Sequence, residues 1–103
     1  MAIKATFFLP ERDNDGRDLT SEINAVQEEC FVAFGGWTLM GYFKGVWRME
    51  SGAQQTDVSA VYMVILEDVD LPLLEAILKR FKAKTTQEAI FLEVVQNVDI
   101  RFL

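Results

Sequence analysis

The sequence predicts an α+β fold: a ferredoxin-like βαββαβ two-layer sandwich, an antiparallel sheet with two helices on one face, and an extra short strand at the C-terminus. Three observations predict it. Apolar spacing switches from strand period to helix period and back, twice, within 103 residues. The first three of the four switches fall at clusters of Gly, Pro, Asp or Asn, the residues that punctuate elements, and the last at the polar run Lys84–Glu88. No repeat, linker or low-complexity stretch interrupts the order, so residues 1–103 read as a single domain.

The first strand carries Ile3, Ala5, Phe7 and Leu9 on one side and Lys4, Thr6 and Phe8 on the other, and Pro10 ends it. Residues 11–17 are charged, aperiodic and glycine-containing, which makes them a solvated loop. Asp18 or Thr20 can supply a capping oxygen for the first helix. Its buried stripe is Leu19, Ile23, Val26, Cys30 and Phe34, with Asn24, Gln27, Glu28 and Glu29 opposite. Gly35 and Gly36 stop it where a left-handed residue is wanted.

A long second strand runs from Trp37 to Met49. Gly41 and Gly45 share a parity with Trp37, Leu39, Phe43 and Trp47, which suggests a bulge, a bend or a close approach by another backbone. Residues 50–55 form a polar turn, and Val58–Leu66 the third strand. Asp68 and Asp70 precede the second helix. Pro72 suits its first turn, and Leu74, Ile77, Leu78 and Phe81 are its core stripe. Lys79, Arg80, Lys82 and Lys84 gather where positive charge complements the helix dipole. Ile90, Leu92 and Val94 mark the fourth strand. Gln96-Asn97 can then turn the chain into a last strand, Val98–Leu103.

Two helices cover one side of such a sheet, and a solvated second side demands clean alternation of apolar and polar residues. The third strand does not alternate: Val58, Ala60, Tyr62, Val64 and Leu66 are faced by Val61, Met63 and Ile65. The fourth places Phe91 and Val95 opposite Ile90, Leu92 and Val94. Leaving several such side chains in water forgoes several kcal/mol at about 25 cal/mol per Å2. The expectation is a partner over the second face, most simply a second copy forming a homodimer. The alternative is that loop 11–17 or the tail folds back.

Composition narrows the partners further. Sixteen acidic and ten basic side chains give a net charge of −6, which opposes binding to nucleic acid or anionic membrane. The longest apolar run, Ala60–Leu66, is far too short to span a bilayer. The N-terminus is strand-like rather than a secretory leader, and one cysteine permits no internal disulfide. A reducing, cytoplasmic setting is expected.

Chemistry is sparse. Without histidine, the usual triads and most zinc sites are excluded, and neither a metal nor a cofactor is expected. Cys30 lies on a core stripe and reads as a buried structural thiol. Asp13-Asn-Asp-Gly16 resembles half a calcium loop, but position twelve is Asn24 rather than glutamate, so it reads as a loop. The basic cluster at the end of helix two reads as helix-end charge. Met40-Gly-Tyr-Phe-Lys-Gly-Val46 does not fit the RNA-recognition pattern of a sheet with this strand order.

One pocket stands out, where Trp37, Tyr42, Trp47, Arg48 and Tyr62 are expected to meet beneath a glycine-bent strand. Arg48 can orient a carboxylate or enolate of a small acidic ligand, and Glu88 or Asp57 can act as base. The competing reading has both tryptophans filling core and Arg48 paired with an acidic neighbour.

Three segments, Phe34-Gly-Gly-Trp-Thr-Leu39, Gly45-Val-Trp-Arg48 and Gln87-Glu-Ala-Ile90, with Phe81-Lys82 between them, resemble a family of small uncharacterised bacterial proteins, a domain of unknown function. Its corresponding patterns are G-x-W-R and Q-E-[SA]-V. Where that family carries a glutamate shortly before strand three, this chain has Asp57; where it carries an aromatic in helix two, this chain has Ile77. The resemblance implies no established activity, but it ranks Trp47, Arg48, Gln87 and Glu88 above other polar residues. Two functions remain open: a self-associating domain with a binding or structural role, or a cofactor-independent enzyme or small-ligand binder using the Trp47/Arg48 pocket.

Overall fold

The computed structural model describes all 103 residues. In chain order the elements are β1 (Ala2–Pro10), α1 (Thr20–Phe34), β2 (Thr38–Arg48), β3 (Gln54–Glu67), α2 (Leu71–Ala83) and β4 (Leu92–Val95), with one 3-10 turn at Asp68–Asp70. The four strands form one antiparallel sheet in the order β2-β3-β1-β4, and both helices lie on one face. This is the expected ferredoxin-like sandwich.

Strand parity builds the core. Ile3, Ala5, Phe7 and Leu9 of β1 and Ala60, Tyr62, Val64 and Leu66 of β3 point towards the helices. They meet Ile23, Val26 and Cys30 of α1 and Leu74, Ile77, Leu78 and Phe81 of α2, the stripes read from helical spacing. Leu19 is buried just ahead of α1. Gly35 closes that helix in the left-handed region at φ 84°, donating its N–H to the carbonyl of Phe31 at 3.0 Å. No side-chain oxygen caps the helix start. The carboxylate of Asp18 instead accepts from the backbone N–H of Thr20 at 2.7 Å.

Two boundaries differ from expectation. β3 begins at Gln54, not Val58, because the polar Gln54–Asp57 stretch pairs with Gly45–Arg48 of β2 and lengthens the hairpin. Residues 98–103 form no strand. Asn97 does turn the chain, at φ 55°, but the segment beyond it pairs with nothing. Its charges satisfy each other locally, Arg101 donating to Asp99 at 2.9 Å.

A bulge interrupts β2 between Leu39 and Gly41, where the extra residue, Met40, has no partner on β3. The strand therefore changes face partway along. Leu39 lies opposite Tyr62 on the helix side, whereas Gly41, Phe43, Gly45 and Trp47 lie opposite Val61, Ser59, Asp57 and Gln55 on the open side. This reverses what uninterrupted alternation implies.

The open face stays apolar. Val61 is buried between its strand neighbours at 1% exposure, but Phe43, Trp47 and Phe91 are 50%, 46% and 42% exposed. Neither candidate for folding back covers them. Loop 11–17 turns towards residues 84–87, where Arg17 donates to the carbonyl of Lys84 and Asn14 to that of Thr86. Phe102 of the tail reaches a rim near Met63 and Ile65 and remains exposed. No helix is long and apolar enough to cross a membrane.

Candidate functional site

The site lies at one end of the open face. β1 contributes Phe8 and Pro10, the β2–β3 hairpin contributes Trp47, Arg48, Gln55, Asp57 and Ser59, and the segment leading into β4 contributes Gln87, Glu88 and Phe91. Together with Asn14 they surround a cavity of about 300 Å3, the lower end of the range for small-molecule pockets.

Local sequence explains how each wall is held. Trp47 sits two residues beyond Gly45 on the same face, and its indole lies back over that glycine. A Cβ at position 45 would stand 2.8 Å from the indole Nε1, so the bare backbone is what lets the ring lie there. On the adjacent strand Gln55 donates to the Asp57 carboxylate at 3.4 Å. The floor is a stacked pair, Phe8 on Phe91, with centroids 4.3 Å apart and planes at 24°. Glu88 reaches the hairpin, where its carboxylate accepts from the backbone N–H of Glu50 at 3.3 Å.

The segment carrying Gln87 and Glu88 is not a regular element, and Asp13 holds it. The Asp13 side chain is wholly buried, 0% exposed. It accepts from the Thr86 backbone N–H at 2.9 Å and from the Thr86 hydroxyl, from the Gln87 amide at 3.2 Å and from the Asn14 N–H at 2.9 Å. Arg17 pairs with its other side at 3.1 Å. Burial alone raises this carboxyl, but the bonds from Thr86, Asn14 and Gln87 outweigh it and hold the group well below the usual carboxylate range. From sequence Asp13 reads as a loop residue, since Thr86 and Gln87, the partners that give it a role, lie more than seventy positions away. The one local signal is the polar Thr85-Thr86-Gln87 run after a helix end.

Of the residues singled out from sequence, the fold brings four together: Trp47, Arg48, Gln87 and Glu88, with Asp57 beside them. It does not bring in Trp37, Tyr42 and Tyr62. Tyr62 faces the helices by the parity of β3, and the bulge in β2 leaves Trp37 and Tyr42 on that same side; there Trp37 meets Tyr62 edge-on at 5.5 Å and the Tyr62 hydroxyl accepts from Gln27 at 2.7 Å. Tyr42 and Tyr62 border a separate polar depression with Arg12, Asn24 and Gln27.

An indole platform, three side-chain amides and two carboxylates line this pocket, and Arg48 borders it. An aromatic platform beside polar and acidic groups can hold a ligand that is flat on one side and hydrogen-bonding on the other. No group of three or more His, Cys, Asp or Glu side chains is placed to hold a metal ion.

No family model and no curated protein sequence matches this chain. Solved structures do. A divalent cation tolerance protein (CutA1) from Thermus thermophilus superposes with a TM-score of 0.69 at 11% identity, covering 98% of this chain and 88% of that one. CutA1 from Ehrlichia chaffeensis gives 0.63 at 5% identity, covering 97% and 84%. A phage S-adenosylmethionine (SAM) lyase, in complex with S-methyl-5'-thioadenosine, gives 0.65 at 19% identity, covering 93% and 85%. At these identities the likeness is one of fold.

Proposed function

We propose that this protein is a self-associating domain that binds a small adenosyl thioether or sulfonium in the open-face pocket. The observation that carries the reading is the placement of the Trp47 indole beside two acceptor-only side chains, Asp57 and Glu88, within one cavity. Adenine stacks on an indole, and the amide oxygens of Gln55 and Gln87, whose NH2 groups are held by Asp57 and by Asp13 and Asn14, can accept from its amino group. Carboxylates accept from ribose hydroxyls and attract a sulfonium. Arg48 answers the carboxylate of an amino-acid tail, in keeping with a ligand that has an acidic end. That a lyase of the same fold is described with S-methyl-5'-thioadenosine supports this ligand class.

Self-association uses the open face. A second copy there buries Phe43, which lies outside the pocket and which neither the loop nor the tail covers. A homodimer is the simplest such assembly.

Titration calorimetry with S-methyl-5'-thioadenosine and with S-adenosylmethionine tests the ligand. Binding by the wild-type protein, weakened at least about tenfold by Trp47→Ala and by Glu88→Gln, supports the reading. Absence of heat with both compounds at millimolar concentration overturns it. A second reading, cofactor-independent enzyme, is favoured by the two carboxylates flanking the cavity. Chromatography of S-adenosylmethionine incubated with the protein separates the two: release of S-methyl-5'-thioadenosine marks an enzyme, and unchanged ligand marks a binder.

A further inference from the structure

We infer that Asp13 is a positioning residue for the pocket: its buried carboxylate clasps Thr86 and Gln87 and so sets where Gln87 and Glu88 stand. The inference rests on reading the cavity as a ligand site, as proposed above.

Three features argue it. Asp13 lies on no core stripe, yet its side chain is as inaccessible as the core. Every donor it gathers belongs either to its own loop (Asn14, Arg17) or to the Thr86–Gln87 segment. A carboxylate is the one short side chain that accepts from so many donors at once and offers none in return. The consequence is directional. Residues 84–91 have neither helix nor strand to order them before β4 begins, and the loop supplies the ordering. Asn14 doubles the clasp, donating to the Thr86 carbonyl at 2.9 Å while its own amide oxygen accepts from Gln87 at 3.3 Å. The Gln87 amide is thus shared between Asp13 and Asn14, which fixes its rotamer at the cavity wall. Glu88 follows on the chain and completes the bridge to Glu50 across the pocket mouth. The charged loop that reads from sequence as solvated thereby acts as the back wall of the site.

Amide hydrogen exchange followed by NMR reads this without a ligand. In Asp13→Asn, which keeps the shape and replaces one acceptor with a donor, protection of the amides of Thr86, Gln87 and Glu50 is expected to fall at least tenfold relative to amides of the β1–β3 ladder. Val26→Ala, a cavity in α1 remote from the pocket, is expected to lower protection everywhere alike. Should Asp13→Asn not fold, Thr86→Val removes one donor to the same carboxylate and reads the same loosening, and Thr86→Ser restores it. Uniform loss across the sheet in Asp13→Asn, or unchanged exchange at Thr86, Gln87 and Glu50, overturns the positioning role. A calorimetric arm uses S-methyl-5'-thioadenosine at a temperature where all variants are folded. The dissociation constant is expected to rise at least tenfold in Asp13→Asn and to hold in Val26→Ala, and an equal rise in both counts against the role. If the wild-type protein does not bind the thioadenosine, the proposed ligand falls, and the exchange result decides the role of Asp13 by itself.

Discussion

Cys30 shows how burial sets reactivity one residue at a time. Loss of solvent pushes its thiol up to about 11, and Glu29 beside it adds to the effect. The reactive thiolate is therefore scarce at neutral pH. An aromatic disulfide reagent is expected to leave the native protein unlabelled at pH 7.5 and to titrate one thiol after denaturation; rapid native labelling would contradict this. Asp13 behaves in the opposite sense. Its carboxyl is depressed in the folded chain relative to an unfolded value of about 3.9. The stability it contributes is complete above that value and is lost as the pH falls below it. Urea midpoints should show the advantage of wild type over Asp13→Asn largest above about pH 5 and shrinking below about pH 4. Asp13→Ala, which takes the shared acceptor from the Asn14 and Thr86 N–H groups and the Gln87 amide, should cost about 1–3 kcal/mol near neutrality.

At the scale of elements, two glycines test what the backbone asks for. Gly35 sits at φ 84° as the C-cap of α1. Nothing crowds a Cβ there, so Gly35→Ala should cost only the left-handed conformation, about 1–2 kcal/mol in urea unfolding. Gly45 is the reverse case: its backbone is ordinary, but the Trp47 indole occupies the space of a Cβ. Gly45→Ala should leave stability within about 1 kcal/mol, because the half-exposed ring can swing away. It should nonetheless shift the Trp47 indole NH resonance and weaken binding of S-methyl-5'-thioadenosine. The bulge at Met40 is the element-scale feature that decides which aromatics share a site. Glycines on the aromatic parity point to an irregularity in β2, and the register bears that out. Its exact position, which exchanges Trp37 for Trp47 at the open face, depends on how Leu39 and Gly41 find partners on β3.

The whole molecule is larger in outline than its mass requires. Its radius of gyration is 14.1 Å, against about 12.8 Å for a compact domain of this length. Its accessible surface is 6540 Å2, where about 5900 Å2 is usual for a monomer of this mass. Both excesses follow from the long β2–β3 hairpin and the uncovered face. Sedimentation velocity at micromolar concentration should therefore give a species heavier than 11.7 kDa, and Phe43→Glu should shift it towards monomer by placing a charge in the contact. A sharp monomer boundary for the wild type would remove the case for a covered sheet.

The order of the four paired strands and two helices, the core stripes of both helices, the helix stop at Gly35 and the excess of apolar side chains on β3 were legible in the amino-acid sequence, whereas the last strand expected at Val98–Leu103 does not form. Each is a matter of local period or local backbone demand, and neighbours in sequence suffice to express it. The pocket was half legible: Trp47, Arg48, Gln87 and Glu88 stood out as residue types in short motifs. That they share one cavity with Asp57, that Trp37, Tyr42 and Tyr62 do not, and that Asp13 holds the far wall were decided only by tertiary structure. Strand register and a carboxylate's choice of donors more than seventy residues distant are settled by the energy of long-range pairing, and no local pattern of spacing encodes them.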